Sequence, residues 1–120
     1  MNARHKKHAM ALRAAIRAIG LELVVKDDKD ASHSITSILP PDGISVPDIR
    51  KTITKDFDIV VANGQNALKD KIFRIGTLGF VSERDVITAV GSLEATLLKL
   101  GHKFVPGSGV AALIKYFNEN

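Results

Sequence analysis

The sequence predicts an α+β domain of two layers: a mostly antiparallel four-stranded sheet with helices packed on one face. Three observations carry that expectation. Apolar periodicity and turn chemistry give the order helix, strand, strand, helix, strand, strand, helix, helix along the 120 residues. The first two strands follow each other too closely for a helical crossover, so they pair as an antiparallel hairpin. The helices carry apolar stripes that need one sheet face to cover, which leaves the opposite face open. One domain, residues 1–120, is the natural count, and a chain this long buries somewhat over ~60% of its unfolded surface.

In chain order, Leu12, Ile16 and Ile19 follow the i, i+4, i+7 spacing of an amphipathic helix that stops at Gly20. Its pattern fades toward Met1 without a good capping residue, as expected of a chain cut inside a longer helix. Residues 21–26 read as strand one, Asp27-Asp28-Lys29-Asp30 as a polar turn, and residues 34–39 as strand two. Pro40-Pro41-Asp42-Gly43 ends that strand with strong turn chemistry. Ser45 is a candidate N-cap, with Pro47 in the first turn, Asp48 at N3, and Val46, Ile49 and Ile53 as the inner stripe. Residues 58–62 read as strand three, Asn63-Gly64-Gln65-Asn66 as a turn, and residues 71–75 as strand four. The next helix carries Ser82 and Asp85 in capping-box positions, Val86, Val90, Leu93, Leu97 and Leu100 at helical spacing, and Gly101 as its stop. Pro106-Gly107-Ser108-Gly109 opens a last helix with Val110, Leu113, Ile114 and Phe117 on one side.

Composition narrows the function classes. Apolar residues make up 45% and charged residues 25%, ordinary values for a soluble globular protein, and a cytoplasmic location is expected. No apolar run approaches the ~18 residues of a membrane span, and no apolar h-region of a signal peptide follows Arg4-His5-Lys6-Lys7-His8. Without cysteine there is no disulfide framework, thiolate nucleophile or cysteine-held metal. The net charge of +4 belongs to the first helix: Arg4, Lys6, Lys7, Arg13 and Arg17 all precede Glu22, the first acidic residue. Aromatics are 5% and none interleaves with that cluster, so a solvated helix face is expected rather than a nucleic-acid site. His5 and His8 lie three apart but lack a third ligand, so a solvated pair is expected rather than a metal site. His33 and His102 stand alone near element ends. Lys69 and Lys71 flank Asp70 in a polar turn, the wrong setting for a Schiff-base lysine, which needs desolvation or a cationic neighbour. Gly107-Ser108-Gly109 lacks the lysine and spacing of a P-loop. No catalytic constellation emerges.

Arg74 is the candidate that remains. It lies in Lys71-Ile72-Phe73-Arg74-Ile75-Gly76, where strand alternation sends Phe73 and Ile75 to one face and Arg74 to the other. With Phe73 and Ile75 in the core, Arg74 stands on the open face as a fixed fork for a carboxylate or phosphate. The adjacent turn Asn63-Gly64-Gln65 reads either as a cleft loop offering a backbone nest or as a plain connection.

Residues 58–80, which hold both the turn and Phe73-Arg74-Ile75-Gly76, resemble the small C-terminal domain of class V pyridoxal-phosphate aminotransferases, closest to the alanine–glyoxylate and serine–pyruvate type. Residues 11–23 are similar to the helix entering that domain, and residues 38–44 to its second strand and following turn. The resemblance implies that Arg74 binds the substrate α-carboxylate. It also implies a missing large domain that holds pyridoxal 5′-phosphate, an amino acid and an α-keto acid as substrates, and a homodimer for the complete enzyme. No cofactor is expected on this chain alone, because the Schiff-base lysine motif is missing from it. A truncated enzyme, a split gene product and a stand-alone relative are all compatible with such a sequence. Some cyanobacterial relatives carry the name soluble hydrogenase small subunit, yet the chain has no cysteine to ligate nickel or an iron–sulfur cluster in the usual way. The alternative reading is a stand-alone α+β module that binds a small anionic ligand or a partner on the open sheet face.

Overall fold

The first helix is one-sided, and a computed structural model, which describes residues 3–120, buries Ala11, Leu12, Ala15, Ile16 and Ile19 completely. This helix, α1 (Ala3–Ala18), ends as expected at Gly20, whose φ of 81° only glycine adopts without strain. The Gly20 N–H donates to the Arg17 carbonyl and the Leu21 N–H to that of Ile16, the paired bonds of a Schellman ending. The chain then forms β1 (Glu22–Leu23), β2 (Ile35–Leu39), α2 (Val46–Phe57), β3 (Ala62–Asn63), β4 (Phe73–Gly76), α3 (Glu83–Lys99) and α4 (Ser108–Glu119).

The strands form one sheet in the order β1-β2-β4-β3, antiparallel throughout. The α+β expectation holds, and so does the first hairpin. Two strands are much shorter than predicted, and the other two by one residue. Strand one keeps only Glu22 and Leu23, although the Val24 N–H still donates to the Ser37 carbonyl at 3.0 Å. Its far end bends away instead, the Val25 and Lys26 carbonyls accepting from Arg13 and Arg17 of α1, and a 3₁₀ turn follows at Asp28–Asp30, capped by the Asp27 carboxylate on the Lys29 N–H. Strand three begins at Ala62 rather than at 58, because Asp58 closes α2 in the left-handed region with φ 55°. Its N–H donates to the Thr54 carbonyl at 2.9 Å, and the Thr54 hydroxyl donates to the Ile59 carbonyl at 2.8 Å. Those bonds extend the helix ending over residues that read as β-formers.

Side-chain alternation sets the core. Leu23, Thr36, Ile38, Phe73 and Ile75 are buried on the helix-covered face. Val46, Ile49 and Ile53 of α2, and Val86, Val90, Leu93 and Leu97 of α3, meet them with at most 1% exposure. Both predicted caps form: the Ser45 hydroxyl accepts from the Asp48 N–H at 3.2 Å, and the Asp85 carboxylate accepts from the N–H groups of Ser82 (3.2 Å) and Val81 (2.6 Å). Helix α4 packs on α1 and α3 with Leu113 and Phe117 inward, whereas Ile114 points out with 43% exposed. Ile114 lies about 100° around the helix from Leu113, so only one of the two can face the core.

Candidate functional site

Arg74 sits at the middle of β4, with β2 on one side and β3 on the other. Its neighbours across the ladder are Ser37 on β2 and Ala62 on β3, and Val24 lies opposite Ser37 by extension of the β1–β2 register. Side chains directly opposite share a face, so Val24, Ser37, Arg74 and Ala62 form one row across the open face. Arg74 is the sole charge in that row. Two residues further along β4, Gly76 contributes no side chain. The guanidinium is therefore half-buried among small groups, and its Nε donates to the Asn63 carbonyl at 2.7 Å. Among the described residues no carboxylate pairs with it. The remaining donors, on the two Nη atoms, present the end of the fork, a shape that matches both oxygens of a carboxylate. The arrangement can hold and orient an anion; it has no group placed to move a proton.

The loop beside Arg74 uses its own donors. The Gly64 N–H donates to the Asn63 side-chain oxygen at 2.7 Å and to the Ile72 carbonyl at 3.2 Å. The same side-chain oxygen accepts from the Asp70 N–H at 2.8 Å, and the Asn63 amide nitrogen donates to the Asp70 carboxylate at 2.8 Å. Gln65 is exposed and its side chain caps nothing. Gly64 admits no side chain: a Cβ there would lie 2.2 Å from the Leu68 carbonyl oxygen and 2.8 Å from Ile72 Cγ1. That close approach roofs Ile72, leaving it 3% exposed. An exposed Ile72 next to Arg74, as alternation alone suggests, is thus excluded. Lys69 and Lys71 are exposed, as the polar turn predicts.

Two expectations for the first helix fail. His8 is not a solvated partner of His5: it is 3% exposed, with its ring 6.3 Å from Phe80 and 6.2 Å from Phe117 in edge-on contact. Nor is the basic face uniformly solvated. Arg13 is 2% exposed, and its Nε bonds Asp28 at 2.8 Å while its Nη2 bonds the Val25 carbonyl at 2.5 Å. Arg17 bonds the same carboxylate. These two hydrogen-bonded guanidinium groups, Arg17 first, hold the Asp28 carboxyl below the usual carboxylate range. No group of three or more histidine, aspartate or glutamate side chains could hold a metal among the described residues. His102 bridges helices by bonding the Ile19 carbonyl at 2.7 Å. It also lines an open cleft of about 590 Å³, together with Glu22, Pro40, Asp42 and Lys103. Arg74 has no part in that cleft. No described helix is long and apolar enough to cross a membrane.

No family model matches the chain. Individual proteins do. The chain is 46% identical over 116 residues to a soluble hydrogenase 42 kDa subunit of Anabaena cylindrica, covering 96% of this chain and 30% of that protein. It is 34% identical over 117 residues to a serine–glyoxylate aminotransferase of Methylorubrum extorquens, covering 98% of this chain and 29% of the relative. The crystal structure of a ureidoglycine–glyoxylate aminotransferase from Bacillus subtilis superposes with a TM-score of 0.87 at 33% identity, again over 98% of this chain and 30% of the other. Sequence and fold together make this chain a homologue of the small C-terminal domain of aminotransferases. More narrowly, its relatives are of the serine–glyoxylate and ureidoglycine–glyoxylate kind, together with proteins named as soluble hydrogenase subunits. The chain spans about 30% of the length of the relatives it matches.

Proposed function

We propose that this chain is the carboxylate-gripping small domain of a class V, pyridoxal-phosphate-dependent aminotransferase-like enzyme. The carrying observation is Arg74: a half-buried guanidinium with no carboxylate partner among the described residues, on the face of the sheet that no helix of the domain covers. Its Nη atoms bind the α-carboxylate of an amino acid or α-keto acid, so that chemistry performed elsewhere meets a substrate of fixed orientation. The partner that carries out that chemistry is a larger domain, corresponding to the length of the relatives that this chain does not span.

The residues present do not fit a cofactor site. A lysine that captures pyridoxal phosphate is desolvated, and no lysine among the described residues is buried. The cofactor therefore belongs to the large domain, and no chemical step is assigned to this chain.

An amide-shift titration of the chain with pyruvate or glyoxylate, run beside Arg74→Ala, tests the reading. Shifts should cluster on β4, β3 and Ser37 and vanish in the variant. Affinity should be on the order of millimolar for so few contacts. Identical shifts in the variant, or shifts confined to α1, would remove Arg74 from the role.

A further inference from the structure

We propose that Asn63 and Asp70 form a clasp that positions Arg74; the proposal rests on Arg74 as the carboxylate anchor and adds the residues that aim it. Arg74 leans toward the sheet edge, where its Nε is held by the Asn63 carbonyl at 2.7 Å. That carbonyl belongs to β3, an edge strand of two residues, so the sheet by itself fixes it weakly. The side chain of the same residue supplies the missing constraint. Asn63 Oδ1 accepts from the Gly64 and Asp70 N–H groups, and Asn63 Nδ2 donates to Asp70 Oδ1 at 2.8 Å. One asparagine thus locks the eight-residue loop with its amide and holds the guanidinium with its carbonyl.

Asp70 closes the clasp from the far end of the loop. It stands in the left-handed region with φ 61°, a backbone state that aspartate tolerates better than most residues. In this pose one carboxylate oxygen is taken by the Asn63 amide, and Asp70 makes no ion pair with Arg74. With its Nε fixed, the Arg74 Nη pair stays open in one direction, for end-on capture of a small carboxylate.

The experiment follows the Arg74 Nε–H resonance of the chain, assigned by its loss in Arg74→Ala, together with the apparent Kd for pyruvate. In the wild type the Nε–H should exchange slowly with solvent. In Asn63→Ala and Asp70→Ala it should move to the fast-exchanging position of solvated arginines. The Kd should then rise roughly three- to tenfold, the effect of one orienting hydrogen bond. Asp70→Asn keeps an acceptor oxygen for the Asn63 amide and should preserve both the Nε–H signal and binding. Unchanged core amide signals of Phe73 and Leu93 show that the fold persists in each variant. A wild-type-like Nε–H in both alanine variants overturns the clasp, as does failure of Asp70→Asn to rescue. Absence of pyruvate binding by the wild type overturns the anchor instead, and the Nε–H comparison still decides the clasp.

Discussion

His8 is a base placed where protonation is unwelcome. It lies between Phe80 and Phe117, and its Nδ1 has no hydrogen-bond partner among the described residues. Burial, then the charges of Arg4 and His5, hold its pKa below the ordinary 6.5, against a weaker opposing pull from Glu83 and Asp85. The folded state therefore binds fewer protons than the unfolded state in the interval just below that value. Stability from the neutral ring is complete above about pH 6.5 and is lost as pH falls through it toward the lower folded value. The melting temperature should drop between pH 7.5 and 5.5, and His8→Phe should flatten that drop; equal slopes for the two proteins would contradict it. The sequence held the signal, since His8 precedes Leu12 by four residues and Ile16 by eight, on the buried stripe. Residue type, not position, suggested solvent. Arg13 misleads for the same reason: its partner Asp28 is fifteen residues away, in a turn whose geometry no local pattern specifies. Arg74 was legible because strand alternation is a two-valued rule and its neighbours Phe73 and Ile75 are plainly apolar. The bond to Asn63 was not, because it depends on where a short edge strand ends.

Helices were easier to read than strands. α3 repeats its apolar positions over four turns between a capping pair and a glycine, and the structure agrees at both ends. Leu93, fully buried at its centre, should cost roughly 2–5 kcal/mol when changed to alanine, read from chemical denaturation; an unchanged midpoint would put the register in error. β1 and β3 keep two residues each, so period-two alternation has almost nothing to act on. The start of α4 falls where the sequence places it, at Ser108, and contacts fasten it there. A Cβ on Gly109 would lie 2.8 Å from Ile19 Cγ2, 3.0 Å from Glu94 Oε2 and 3.1 Å from Val90 Cγ1. Glu94 is itself nearly buried and accepts from the N–H groups of Gly107 (2.6 Å) and Val110 (3.0 Å), fastening the helix start to α3. Gly109→Ala sets a propensity gain of up to ~1 kcal/mol against overpacking of roughly 1–3 kcal/mol. Two buried branched side chains and a carboxylate tied to two backbone N–H groups leave little room to yield, so overpacking should win. A melting temperature raised by the substitution would show instead that α4 can shift.

At the scale of the molecule, the helices complete one face of the sheet and leave the other to Val24, Ile35, Ser37, Arg74 and Ala62, with Val24 and Ile35 about 40% exposed. The two-layer architecture was readable because four apolar stripes and one short sheet admit few other arrangements. A cover for the bare face enters only with the proposed large domain, since this chain spans about 30% of the length of the relatives it matches. If that domain holds the cofactor, the chain incubated with pyridoxal phosphate and dialysed should retain no absorbance band that a single lysine substitution abolishes. A retained band lost with one lysine would assign the chain a cofactor site of its own.

Strand order adds a matter of timing. β4 is hydrogen-bonded on both sides, but its neighbour β3 is an edge strand of two residues and the first to leave. Because β3 also supplies the Asn63 carbonyl that holds Arg74, the grip on an anion should fade at a lower denaturant concentration than the core signals of Phe73 and Leu93; loss of both together would contradict this. The domain would then let go before it comes apart, as a latch lifts before the door leaves its hinges.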